Sequence, residues 1–147
     1  PSTKSQTGHD QNITEAKACE LIGHDVINFI KEKSIQLYNF GKHHAKKCGL
    51  ILADTKFEFG FLQTNGEKQQ IILIDELFTP DSSRYWLREK YEQGIIESFD
   101  KQYVRDYLEG IGWNKNPPPP TLPPEVIDNT SKIYLKVYKM LTGKEIA

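Results

Sequence analysis

A chain of 147 residues, 37% hydrophobic and 27% charged, has the material for one domain with a core. A formal net charge of −1 leaves no electrostatic footprint for nucleic acid, and no apolar run is long enough to span a membrane. The first residues carry no signal-peptide core. Cys19 and Cys48 are too few for a disulfide framework, so a cytoplasmic location is expected.

Residues 1–12 (PSTKSQTGHDQN) have no apolar period and read as an opening loop, as though cut from something longer. Asn12 with Glu15 three positions on resembles a capping box, starting a short helix through Ala16, Cys19 and Leu21 to about Gly23. A longer helix follows, with Val26, Ile27, Ile30, Ile35, Leu37, Tyr38 and Ala45 on its apolar stripe. Lys42, His43, His44, Lys46 and Lys47 crowd its last turns, where cations suit the helix dipole, and Gly49 supplies the stop. His44 and Cys48 have a metal-like spacing, but among those lysines they read as exposed dipole partners.

Segments 50–63 and 69–78 are rich in Ile, Leu and Phe and flank TNGEK, whose Asn65-Gly66 is a strong hairpin signal, so 50–78 reads as one hairpin. Pro80, Asp81, Ser82 and Ser83 read as a turn into a helix or loop. Asp100 is expected to cap a helix through Val104 and Leu108, ending near Gly110 or Gly112. The proline run over 116–124 reads as a stiff connector, with PxxP character that also fits an SH3-type ligand. The closing helix, 124–142, is expected to bury Val126, Ile127, Ile133, Tyr134, Val137 and Leu141. Helices around an antiparallel hairpin make the expected class α+β, with 1–147 as one lobe.

The chemistry gathers over 54–84. Alternation along ADTKFEFG puts Asp54, Lys56 and Glu58 on one face. A two-residue turn at Asn65-Gly66 would set Lys56 opposite Asp75 and Glu58 opposite Leu73, with Asp75 diagonal to Glu58. Glu58 and Asp75 could then share a hard cation such as Mg²⁺. The same pattern also fits the charged solvent face of an edge hairpin, with Lys56 and Asp75 a simple ion pair. Beyond it, Ser82 and Ser83 offer hydroxyls and backbone N–H groups, and Arg84 a planar fork suited to phosphate. An ordinary cap with a surface arginine would look the same.

ADTKFEFG followed by IDELFTPDSSRYW at this spacing resembles the signature of SAICAR synthetase. PSTKSQTGHDQNIT resembles the segment before that family's C-terminal helices, and KIYLKVYKMLTG its closing helix, so the resemblance runs nearly end to end. It implies the C-terminal lobe of that fold, and an ATP-dependent ligase joining L-aspartate to carboxyaminoimidazole ribotide (CAIR). Glu58 and Asp75 would hold metal and nucleotide phosphate. Asp54 and Lys56 would face the CAIR imidazole and carboxylate, and Ser83 and Arg84 the ribotide phosphate. His9 and Asp10 match an element near the substrate cleft, and Ser2, Thr3 and Lys4 could touch phosphate. The family's N-terminal lobe, with its glycine loop and lysine over ATP, has no counterpart in these 147 residues. A fragment inactive alone is therefore expected, with an apolar surface where that lobe docks. A homo-oligomer, a non-catalytic binding module and another ATP-dependent carboxylate–amine ligase stay open.

Overall fold

The computed structural model describes residues 1–3, 10–63 and 69–146. Two compact units, Pro1–Asn39 and Phe40–Ala147, divide the chain. In the first, Ser2 and Asn12 form an antiparallel bridge, with Thr3 N–H donating to Gln11 at 2.9 Å and Ile13 N–H to Pro1 at 3.0 Å. With Asn12 held extended, the cap falls two residues later than its capping-box pattern suggests. Thr14 accepts from Lys17 N–H at 3.1 Å and opens α1 (Glu15–Ile22). Ala18 and Cys19 pack against Ile13 and Ile27. Gly23, at φ 88, ends the helix as few other residues could.

α2 (His24–Lys47) follows. Ala45, on its stripe, is buried; Ile35, expected to join it, is exposed.

In the second unit the strands pair differently from one long hairpin. β1 (Leu50–Thr55) pairs antiparallel with β4 (Ser83–Leu87), and β2 (Glu58–Leu62) with β3 (Gln70–Ile74), as two separate two-stranded sheets. SRYWL therefore continues from its turn as a strand, not the expected helix or loop, because β1 offers Leu50 and Leu52 as a buried face that Tyr85 completes. Burying each such side chain is worth about 1.5–3 kcal/mol. Short α3 (Arg88–Glu92) and α4 (Gln102–Gly110) come next. Asp100 is buried, and its Oδ1 accepts from Gln102 N–H at 3.1 Å and Ser98 Oγ at 2.9 Å; it serves the first N–H of α4 from one residue before the N-cap, which is Lys101 and not Asp100 as expected.

α5 (Pro124–Thr142) begins on proline, where no N–H is lost, and stops at Gly143 in the left-handed conformation. Val126 and Val137, three turns apart, are buried. Ile127 lies about 100° around from Val126 and faces out, against the expectation that it is core. Among the described residues no helix is long and apolar enough to cross a membrane.

Candidate functional site

β1 carries a bulge: Leu52 is opposite Tyr85 but Asp54 is opposite Arg84, so Ala53 is the extra residue. Unbroken alternation would have kept Asp54 on the buried face of Leu52; the bulge brings it out to a half-exposed position beside its partner. Arg84 Nε donates to Asp54 Oδ1 at 2.8 Å and Nη2 to Oδ2 at 2.5 Å, a bidentate fork. That hydrogen bonding holds the Asp54 carboxyl below its usual range and raises Arg84.

The strand breaks at 56–57, so alternation does not carry from Asp54 to Glu58. Lys56 donates its backbone N–H to Ser82 at 2.9 Å, and its ammonium lies 2.5 Å from Glu58 Oε1. The expected Lys56–Asp75 pairing is replaced by this neighbouring contact.

The register also differs. Glu58 is opposite Ile74 and Phe59 opposite Leu73, one residue off the arrangement a two-residue turn would impose. Residues 63–69 separate the last pair, Leu62 and Gln70; the Asn65-Gly66 turn lies outside the described residues. A one-residue slip exchanges faces along a regular strand. Asp75 escapes that rule because it sits just past β3 at φ 66, where alternation has ended. The shared strand face argued from sequence is therefore not what relates Glu58 to Asp75.

The turn after Asp75 is tied down by a line of hydroxyls. Thr79 Oγ1 donates to Glu76 and lies 3.3 Å from Ser82 Oγ. Ser82 Oγ is 3.4 Å from Ser83 Oγ, which is 2.8 Å from Thr55 Oγ1. Ser83 is only 3% exposed, and its hydroxyl is engaged with Thr55. Phe78, at φ 58, stands edge-on to Phe57 and covers Gly41 of α2, while its carbonyl accepts from Tyr85 Oη at 2.7 Å.

Several residues here escaped the sequence reading. Lys101 Nζ lies 2.8 Å from Asp81, whose carboxyl its hydrogen bond holds low. Arg105 Nη1 is 4.0 Å from buried Asp100 and lies within electrostatic reach of Asp54 and Asp81. Burial raises the Tyr134 hydroxyl, reinforced by Asp81, Asp100 and Glu76 and opposed by Arg105. The available signal was two cations four residues apart, Lys101 at the N-cap of α4 and Arg105 within it. Gly41, inside a helix with no conformational need for glycine, was another.

Elsewhere, His44 Nε2 and Leu141 O are 2.8 Å apart, with Cys48 Sγ 3.7 Å from His44. These two side chains gather on the end of α5. Asp10 is exposed in the first unit, and Thr3 is engaged with Gln11; His9 and Lys4 lie outside the described residues. Among the described residues no three His, Cys, Asp or Glu groups are placed to hold a metal.

A sequence model described as SAICAR synthetase matches residues 1–120. The phosphoribosylaminoimidazole-succinocarboxamide synthase of Methylobacillus flagellatus is 48% identical over 146 residues, covering 98% of this chain and 48% of the relative. Among solved structures, the Saccharomyces cerevisiae SAICAR synthase complexed with SAICAR superposes with a TM-score of 0.77 at 38% identity, over 93% of this chain and 45% of the other. A type-2 SAICAR synthetase in complex with ADP gives 0.69 at 26% identity, over 99% of this chain and 51% of the other. The chain spans about half the length of the relatives it matches.

Proposed function

This chain belongs to the SAICAR synthetase family, and from that premise we propose that it supplies the metal and ribotide wall of a carbon–nitrogen ligase of purine biosynthesis. The reaction would join L-aspartate to CAIR with hydrolysis of ATP to ADP and phosphate. The observation that carries this reading is the pair of adjacent ion pairs, Asp54–Arg84 and Lys56–Glu58, flanked by the fixed Ser82–Arg84 turn. A relative holding SAICAR and another holding ADP support the substrate classes.

Arg84 would hold the ribotide phosphate. Ser83 would support it from behind as a buried prop. Lys56 would face the CAIR carboxylate that is activated by phosphorylation before the aspartate amine attacks. The donor chemistry fits Mg²⁺: Glu58 and Asp75 offer hard carboxylate oxygens, and Mg²⁺ commonly takes one or two carboxylates plus waters and phosphates. When bound, it would neutralise charge on the transferring phosphoryl oxygens. Glu58 already carries the Lys56 ammonium, so a cation there would release Lys56 toward substrate. We place the ATP-phosphate lobe in the half of the relatives that this chain does not match.

In a full-length enzyme carrying this segment, Glu58→Gln or Asp75→Asn should abolish Mg²⁺-dependent ADP release; turnover retained in both would sink the assignment. Isothermal titration of the 147-residue chain with Mg-ATP should show only weak binding, and micromolar affinity would contradict the placement of the ATP lobe.

A further inference from the structure

We infer that Asp54 is a positioning residue for Arg84: its carboxylate clamps one edge of the guanidinium so that the opposite edge stands open to the oxygens of a sugar phosphate. This rests on Arg84 being the phosphate-holding residue proposed above. A guanidinium has five N–H donors, and Asp54 takes two, one from Nε and one from Nη2. That leaves three, one on Nη2 and both on Nη1, as a second planar fork matched to an oxyanion.

The fold sets the clamp. Asp54 and Arg84 are cross-strand partners just past the β1 bulge, so both side chains rise from paired positions. Ser83, the residue before Arg84, is locked to Thr55, the residue after Asp54, at 2.8 Å. The pair therefore starts from a fixed base, while both side chains remain about half exposed and open to a ligand.

Two effects of Asp54 on an anion oppose each other. Its negative charge repels a phosphate at Arg84, so electrostatics alone would have binding strengthen when Asp54 is removed. Its hydrogen bonds pre-order a long side chain that would otherwise lose rotamer freedom on binding, so orientation would have binding weaken. At a half-exposed pair the charge effect is screened by water. Orientation should win.

The probe is ribose 5-phosphate, titrated into the 147-residue chain while the Arg84 Nε–H resonance is followed by NMR. Arg84→Ala should weaken binding, and Asp54→Ala should weaken it roughly threefold to tenfold, with Asp54→Asn between Asp54→Ala and the unsubstituted chain. In the unsubstituted chain the Nε–H signal should stay in its Asp54-bonded position on saturation. Binding unchanged or tighter in Asp54→Ala, with Arg84→Ala still weakened, overturns the clamp and leaves the phosphate role of Arg84 standing. No binding by the unsubstituted chain, or none lost in Arg84→Ala, overturns that role and the clamp with it. Should Asp54→Ala fail to fold, the Nε–H signal decides: a ligand-induced move away from its bonded position refutes the clamp.

Discussion

The loop that carries Asp75 depends on a close approach at Gly41, and a double-mutant cycle measures it. A Cβ at Gly41 would lie 2.5 Å from Cε1 and 2.6 Å from Cζ of Phe78. Carbon–carbon contacts settle near 3.5–4.0 Å, so the ring edge would have to retreat by about an ångström. It has little room. Phe78 is in a left-handed conformation, its carbonyl is bonded to Tyr85, and its ring meets Phe57 edge-on with centroids 5.6 Å apart. Overpacking of this kind costs about 1–3 kcal/mol, whereas alanine in place of a helical glycine gains about 1 kcal/mol. Gly41→Ala should therefore leave the native chain between unchanged and about 2 kcal/mol less stable. In a Phe78→Ala background the clash is gone, and the same substitution should stabilise by about 1 kcal/mol. Urea unfolding followed by tryptophan fluorescence, from Trp86 and Trp113, both in the second unit, gives both values. A coupling of about 1–3 kcal/mol is expected. Equal stabilisation in the two backgrounds would refute the packing of Phe78 on Gly41.

Tyr85→Phe should cost about 1 kcal/mol in the same assay, because it leaves the Phe78 carbonyl without its donor. Burial pushes the Tyr85 hydroxyl up to about 12 from its ordinary 10, so its share of stability is intact below pH 10 and is lost as pH climbs toward 12. Difference absorbance of phenolate, compared between native chain and Tyr85→Phe, checks this; ionisation of Tyr85 near pH 10 in the folded chain would contradict it. Asp54, held low first by the Arg84 hydrogen bond, contributes stability above its unfolded pKa and loses it as pH falls through the folded one. Carboxyl-carbon NMR should show its midpoint moving up in Arg84→Ala, and an unmoved midpoint would show that the fork is not formed in solution. Ser83→Ala strands the Thr55 hydroxyl and should cost about 1–3 kcal/mol in the same urea assay; unchanged stability would show that the Ser83–Thr55 contact contributes nothing to the fold.

Helices α1, α2, α4 and α5 were legible from local chemistry, because their signals lie within a few residues; short α3 was not. Pro124 and Gly143 bracket α5, Gly49 follows α2, and Asp100 supplies its oxygen to the first turn of α4. The chemical character of 54–84, carboxylates with a lysine and an arginine among apolar strands, was equally readable from the order of residues. Which of those groups meet was not. Sequence alternation assumes an unbroken strand, and here a bulge at Ala53 turns Asp54 out to Arg84 while the break at 56–57 leaves Lys56 to its neighbour Glu58. The apolar character of 50–63 said that it would pair, but β1 could choose either 69–78 or 83–87 as partner. Only the buried fit of Tyr85 against Leu50 and Leu52 selects β4. Strand identity is a local preference; partner and register are set by which pairing buries most apolar surface across segments distant in the chain, and that comparison exists only once the chain has folded.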